Sequence, residues 1–190
     1  MKIDVIRKEN VAVSRWSGGE TREYAIYPPG AVYADRAFDF RISSATIEAI
    51  PSVFTQFKGY RRYLAMLDGN LQLTQEGKDQ TYTKHQLFTF PSTASITSFT
   101  QGTDFNLMLN ERIVDEVVEV RYQPFQTEQP FVFLFALQEA EVVVNSQSFQ
   151  LHPWDCLLLN NPNKKTIDIE FHQQLIVGYW SMEERKKEKQ

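Results

Sequence analysis

The sequence predicts an all-β protein, and three observations carry that reading. Fourteen Phe and eight Tyr stand among 190 residues, and aromatic side chains of this kind favour strands. Apolar and polar residues alternate over segments of only four to six residues, the period of a half-buried strand. Turn signals recur between those segments at Pro28-Pro29-Gly30, Asp68-Gly69, Glu76-Gly77-Lys78-Asp79 and Asn160-Asn161-Pro162-Asn163. Many short strands with frequent turns point to a sandwich or barrel and away from a parallel α/β sheet.

Taken in chain order, the first element follows Gly18-Gly19, where a turn is expected, and puts Thr21 and Glu23 on one face. The run Phe38 to Ile47 alternates so that Arg41, Ser43 and Ala45 share a face. In the next run Arg62, Leu64 and Met66 go to one side, and Arg61, Tyr63, Ala65 and Leu67 to the other. Leu71 to Thr74, Leu87 to Pro91 and Ile96 to Phe99 read as further strands. Asp104, Asn106 and Met108 then alternate against Phe105 and Leu107. Val117 to Arg121, Phe131 to Leu137, Glu141 to Val144, Leu151 to Leu159 and Ile167 to Phe171 continue the series. One or two short helices are expected beside the strands. Residues 181–190, rich in Glu, Lys and Arg, read as a charged tail, a frayed helix or disorder.

The chain repeats itself loosely. Strand, turn, strand, loop and strand occur from Tyr63 to Pro91 and again from Phe131 to Leu159, the second time with the pattern L-x-P-x-D at Leu151 to Asp155. This is the rhythm of a cupin barrel. The chain therefore reads as a bicupin: residues 1–115 form a first half with the candidate pocket, and 116–180 a second half, with strands exchanged between them. Metal-binding cupins place two His just before a Glu that lies seven positions ahead of a Gly. With Gly69 as that Gly, Arg62 takes the Glu position, and Thr55 or Gln56 and Phe57 or Lys58 take the His positions. Ile96 stands near the place of the last His. Imidazoles and carboxylates hold iron, manganese or nickel, and a guanidinium repels them. His85, His152 and His172 lie far apart in sequence, so no metal and no cofactor are expected.

In that register Arg62 faces the cavity. A buried guanidinium needs a partner, either an internal acid such as Glu23 or Asp104 or the carboxylate of a ligand. Asp104 and Asn106 offer acceptors and donors to the same space, or else cap a turn after Gly102 and satisfy backbone. Arg41 either joins them or sits at a surface strand edge.

Three stretches, Trp16-Ser17-Gly18-Gly19-Glu20-Thr21-Arg22-Glu23, Phe54 to Leu64 and Asp104-Phe105-Asn106-Leu107-Met108, together resemble the HutD/Ves family, as does the run Phe40-Arg41-Ile42-Ser43-Ser44-Ala45. Most members carry Trp where Phe40 stands, which is expected to reshape the pocket rim. The resemblance is specific from about Val11 to Asn110 and weaker to Trp180. It implies a bicupin fold and ligand-binding candidates at Trp16, Thr21, Glu23, Arg41, Ser43, Arg62, Asp104, Asn106 and Met108. It also implies a link to histidine utilisation, with a formylated glutamate-like acid as a proposed ligand. Other members are tied to stress or cold responses.

Composition excludes several function classes. The net charge is −4 and no basic face is written into the sequence outside the tail, so nucleic acid is not an expected partner. The single Cys156 permits no intrachain disulfide and no Cys-built zinc site, and its apolar neighbours make it an inert thiol. No apolar run approaches the roughly 20 residues of a membrane span, and no leader pattern opens the chain; a reducing cytoplasm is the default. The expected partner is a small acidic metabolite, with a homodimer as the only macromolecular one, in a metabolite-sensing or accessory role. An enzymatic alternative is a metal-free isomerase or lyase with Glu23 or Asp104 as base and Arg62 stabilising an enolate-like charge. A third reading is an interaction protein with a vestigial pocket.

Overall fold

Strand alternation becomes decisive where both faces of a strand are covered, and this chain covers both faces of several. The computed structural model describes residues 1–183. Its strands are β1 (Lys2–Ile6), β2 (Val13–Trp16), β3 (Gly19–Tyr27), β4 (Phe40–Ile47), β5 (Ser52–Val53), β6 (Tyr60–Met66) and β7 (Leu71–Gln75). There follow β8 (Lys78–Tyr82), β9 (Phe88–Pro91), β10 (Ile96–Ser98), β11 (Gly102–Asn110), β12 (Ile113–Arg121) and β13 (Phe125–Thr127). The chain closes with β14 (Phe131–Ala136), β15 (Ala140–Val144), β16 (Gln147–Leu151), β17 (Cys156–Asn160), β18 (Ile167–Glu170) and β19 (Leu175–Met182).

These strands form four antiparallel sheets. In the first half a six-stranded sheet, β2-β3-β4-β11-β6-β9, faces a four-stranded one, β5-β10-β7-β8. In the second half a five-stranded sheet, β1-β17-β14-β19-β12, faces β13-β18-β15-β16. The two large sheets lie back to back, so the molecule is all-β and cupin-like, with its sheets open rather than closed into one barrel. The N-terminal strand β1 pairs with β17 of the second half, and β12, which straddles residue 115, pairs with β19.

The layer between the large sheets is aromatic. Phe40, Ile42, Phe105, Leu107, Phe133, Phe135 and Trp180 meet there, all essentially inaccessible. β14 shows the consequence of double burial. Phe131, Phe133 and Phe135 enter this layer, while Val132, Leu134 and Ala136 fill the interior of the second half. That second interior is packed with aliphatic side chains from both of its sheets. In the first half the apolar filling, Leu64, Met66, Leu71, Leu73, Phe88 and Phe90 among it, occupies only part of the space. Charged ties cross between the halves as well, Arg7 with Asp155 at 2.7 Å and Arg61 with Glu116 at 2.6 Å, while Arg112 pairs with the buried Asp39 within the first half.

Two expectations are corrected here. Among the described residues there is no α-helix; the short helices are single 3-10 turns at Lys8–Asn10 and Tyr33–Asp35. Neither segment has the length or the apolar period to bury a helical face. Ser181 and Met182 do not begin the tail but complete β19, held by pairing to Val114 and Ile113. Residues 184–190 lie outside the described residues. No helix of the described residues is long and apolar enough to cross a membrane.

Gly178 tests the tightness of the central layer. It pairs with Phe133 across β19 and β14, and a Cβ added there would come within 2.1 Å of the Phe133 ring. Gly178→Ala should lower stability by about 1–3 kcal/mol, the usual cost of overpacking. Combining it with Phe133→Leu should cost less than the sum of the two single losses, read from urea denaturation. Strict additivity would show that ring and glycine do not share that space.

Candidate functional site

The first half leaves a cavity of about 730 Å³ between its two sheets, walled by β2, β3, β4, β6 and β11 on one side and by Ser52 to Thr55 on the other. Pairing registers explain why polar side chains collect there. Thr21, Ala45, Asp104 and Met66 form one rung across β3, β4, β11 and β6, and Glu23, Ser43, Asn106 and Leu64 form the next. Arg41, Met108 and Arg62 form a third. Because Phe40, Ile42, Phe105 and Leu107 are committed to the aromatic layer, Arg41, Ser43, Asp104 and Asn106 must point inward. A bulge leaves Tyr24 as an extra residue on β3 and lets Glu23 reach Arg41.

Arg41 is satisfied. Its Nε donates to Glu23 Oε2 at 2.7 Å, its Nη1 to Ser43 Oγ at 3.3 Å, and its guanidinium lies 4.1 Å from the centre of the Tyr33 ring. It is buried, so the reading of Arg41 as a surface strand edge is set aside. Arg62 is the opposite case. Only 7% of it is exposed, yet its one hydrogen bond runs from Nη1 to the Thr55 carbonyl at 3.3 Å. Its Nε has no partner, and among the described residues no carboxylate forms an ion pair with it. The rings of Phe90 and Phe54 flank it at 5.2 and 5.4 Å. Burial pulls its pKa below the ordinary guanidinium range, and an arginine nevertheless remains cationic. The expected internal partner is therefore absent: Glu23 belongs to Arg41, and Asp104 acts on Arg62 only through space.

Asp104 does not cap a turn. Its Oδ1 accepts the Ala45 N–H at 3.0 Å in mid-strand, and it is Asp68 that accepts the Thr103 N–H, at 2.8 Å. Burial pushes the Asp104 carboxyl up to about 6, against the pull of the Ala45 N–H and of Arg62. Asn106 is buried beside it with its Oδ1 unpartnered. At the mouth, Trp16 donates from Nε1 to Thr21 Oγ1 at 3.1 Å. Gly18 turns its carbonyl, rather than a row of N–H groups, to the backbone of Glu48 and Ala49, at 2.8 and 3.2 Å.

Eight of the nine residues singled out from sequence line this cavity: Trp16, Thr21, Glu23, Arg41, Ser43, Arg62, Asp104 and Asn106. Met108 does not. It shares their face, but Phe38, Phe57 and Tyr60 cover it. Phe40 is not at the rim either, because its side of β4 packs against Phe131 and Trp180. Sequence reasoning missed Tyr33, Phe54, Thr55, Val32 and Val53 as lining residues. Thr55 had a signal, since counting back from Gly69 reaches it. Tyr33 had none, because it lies in a segment without strand period. Among the described residues no group of three or more His, Cys, Asp or Glu is placed to hold a metal ion. Cys156 is fully buried in the aromatic layer, where burial drives its thiol pKa far upward.

Comparison with known proteins fits this geometry. The model of the HutD family matches residues 8–177. Protein Ves of Citrobacter koseri is 32% identical over 128 residues, which is 64% of this chain and 64% of the length of Ves. The solved structure of HutD from Pseudomonas fluorescens SBW25 is similar with a TM-score of 0.83 at 23% identity, covering 96% of this chain and all of that one. A Cupin 2 conserved barrel domain protein from Leptotrichia buccalis shares the fold at a TM-score of 0.58 and 10% identity, over 92% of this chain and 99% of its own.

The electrostatics of Asp104 are measurable without a ligand. The folded chain holds its proton more tightly than the unfolded chain does, so this contribution is fully present below about pH 4 and is lost as pH rises through about 6. Asp104→Asn keeps an oxygen for the Ala45 N–H and removes the titration. Relative to the parent it should gain about 3 kcal/mol between pH 4 and pH 7.5, the value of two pH units of proton binding. Denaturation midpoints across that range check this; parallel pH profiles of parent and variant would contradict it.

Proposed function

The chain belongs to the HutD family, and on that premise we propose that it binds a small anionic metabolite in the cavity of its first half, in a sensing or accessory role. One observation carries this reading: Arg62 presents a buried cation with an unpartnered N–H and no acid of its own. A cationic fork in a site of this kind suits a carboxylate, which restores the hydrogen bonds that burial removed. Asn106 and Asp104 add acceptors for amide or hydroxyl groups of the same ligand. The formylated glutamate-like acid implied by the family is the first compound to test. Neutral sugars leave the guanidinium unsatisfied and are disfavoured.

A metal-free isomerase or lyase is a second reading, and Asp104 favours it. Its carboxyl titrates at about 6 in the same cavity as Arg62 without an ion pair to neutralise it, a protonation range suited to a general base. Conversion of a bound acid, followed by NMR over hours, separates a catalyst from a binder.

The test of binding is a thermal-shift series. Acidic metabolites should raise the melting temperature in a concentration-dependent way, worth about 2.7 kcal/mol at a hundredfold excess over Kd, and Arg62→Leu should erase the shift. Because no acid is stranded by that change, the unliganded variant should be as stable as the parent or more so, gaining up to about 1–4 kcal/mol where a buried charge gives way to a packed apolar group. Stabilisation by neutral or cationic compounds and not by acids would sink the proposal.

A further inference from the structure

The floor and the mouth of the cavity differ in chemistry. The floor holds Arg62, Asp104 and Asn106, each less than a tenth exposed. Beside Ser14 and Arg15, whose guanidinium pairs with Glu20 at 3.2 Å, the mouth carries three exposed apolar side chains, Trp16 at 44%, Val32 at 54% and Val53 at 75%. They come from separate segments, the β2–β3 hairpin, the loop before the second 3-10 turn, and the two-residue edge strand β5. Apolar side chains converging on one opening are costly in water and mark a binding surface. Trp16 is held in place there. Its indole is tied to Thr21 and covers Gly18 so closely that a Cβ at that position would lie 2.1 Å from the ring.

The dimensions also exceed what a bare carboxylate needs. A cavity of about 730 Å³ falls in the range of pockets that enclose ligands well beyond that size. Arg62 bonds the Thr55 carbonyl at 3.3 Å, and Val53, two residues earlier in the chain, lines the same cavity.

Resting on the reading of this site as a carboxylate pocket, we infer that its ligand is amphipathic: a carboxylate at Arg62 carrying an apolar acyl or aryl body that lies against Trp16, Val32 and Val53. A compact diacid leaves Trp16, Val32 and Val53 uncovered, and Arg15 beside them already pairs with Glu20 at 3.2 Å. An N-acyl amino acid with an apolar side chain, or a medium-chain carboxylate, satisfies both ends of the cavity.

A homologous series tests this. Acetate, butyrate, hexanoate and octanoate, with glutarate as the diacid control, are titrated by ligand-observed NMR. Kd should fall by up to about fourfold per methylene from butyrate to hexanoate, the value of a fully buried CH2. Glutarate should bind more weakly than hexanoate. Trp16→Ala and Val53→Ser should each flatten the dependence on chain length, and Arg62→Leu should abolish binding of the whole series. Arg62-dependent binding with no gain along the series, with glutarate tightest, or with an undiminished slope in both lip variants overturns the amphipathic ligand and leaves the carboxylate reading standing. A series with no Arg62-dependent binding at all, including one in which the chain-length gain survives Arg62→Leu, overturns both.

Discussion

The aromatic layer between the two large sheets is the constraint on which the rest of this molecule depends. Phe105, Phe133, Phe135 and Trp180 lock one face of β4, β6, β11, β14 and β19 into a common interior. A strand has only two faces, so whatever alternates with those residues is forced to the other side. In the second half the alternate residues are Val132, Leu134, Ala136, Leu157 and Val177, and they make an ordinary aliphatic core. In the first half they are Arg41, Ser43, Arg62, Asp104 and Asn106, which cannot pack as a core and instead wall a cavity. A register slip of one residue would exchange the two sets and bury the charges in the aromatic layer.

Besides Arg15 at its mouth, the cavity is lined by two cations and two acids, yet they are not two equivalent pairs. Glu23 and Arg41 satisfy one another, with Ser43 and Tyr33 completing the arrangement. Arg62 and Asp104 remain without a direct bond to each other, and each shows the mark of that isolation. Asp104 is pushed towards protonation, and Arg62 keeps an unpartnered Nε. The low polarity of their surroundings makes both groups costly as they stand, and it strengthens any charge-assisted bond a ligand supplies.

The partial apolar filling of the first half and the fuller one of the second also bear on the vestigial-pocket reading. A pocket lost to packing looks like the second half, where side chains from both sheets meet. The first half keeps its opening because its central rungs carry polar residues, and its lip keeps Trp16 in a fixed place through Thr21 and Gly18.

Much of this was legible in the amino-acid sequence, because alternation is a local property. The period in Arg62-Leu64-Met66 and in Asp104-Asn106-Met108 assigned faces correctly, the short segments between turn residues announced an all-β chain, and four motifs marked the HutD family. What sequence could not decide is which charge meets which, since that depends on strand order and on a single bulge. Glu23 reaches Arg41 rather than Arg62 because β3 lies beside β4, and β11 stands between β4 and β6. Met108 has the right face but lies under Phe38, Phe57 and Tyr60, while Phe40, one residue from Arg41, belongs wholly to the aromatic layer. Tyr33, Val32 and Val53 reach the cavity from segments far apart in sequence, where no period exists to announce them. Sequence alone determined which residues share a strand face; only the tertiary structure decided which faces meet, because pairing across sheets is set by distant parts of the chain packing at once.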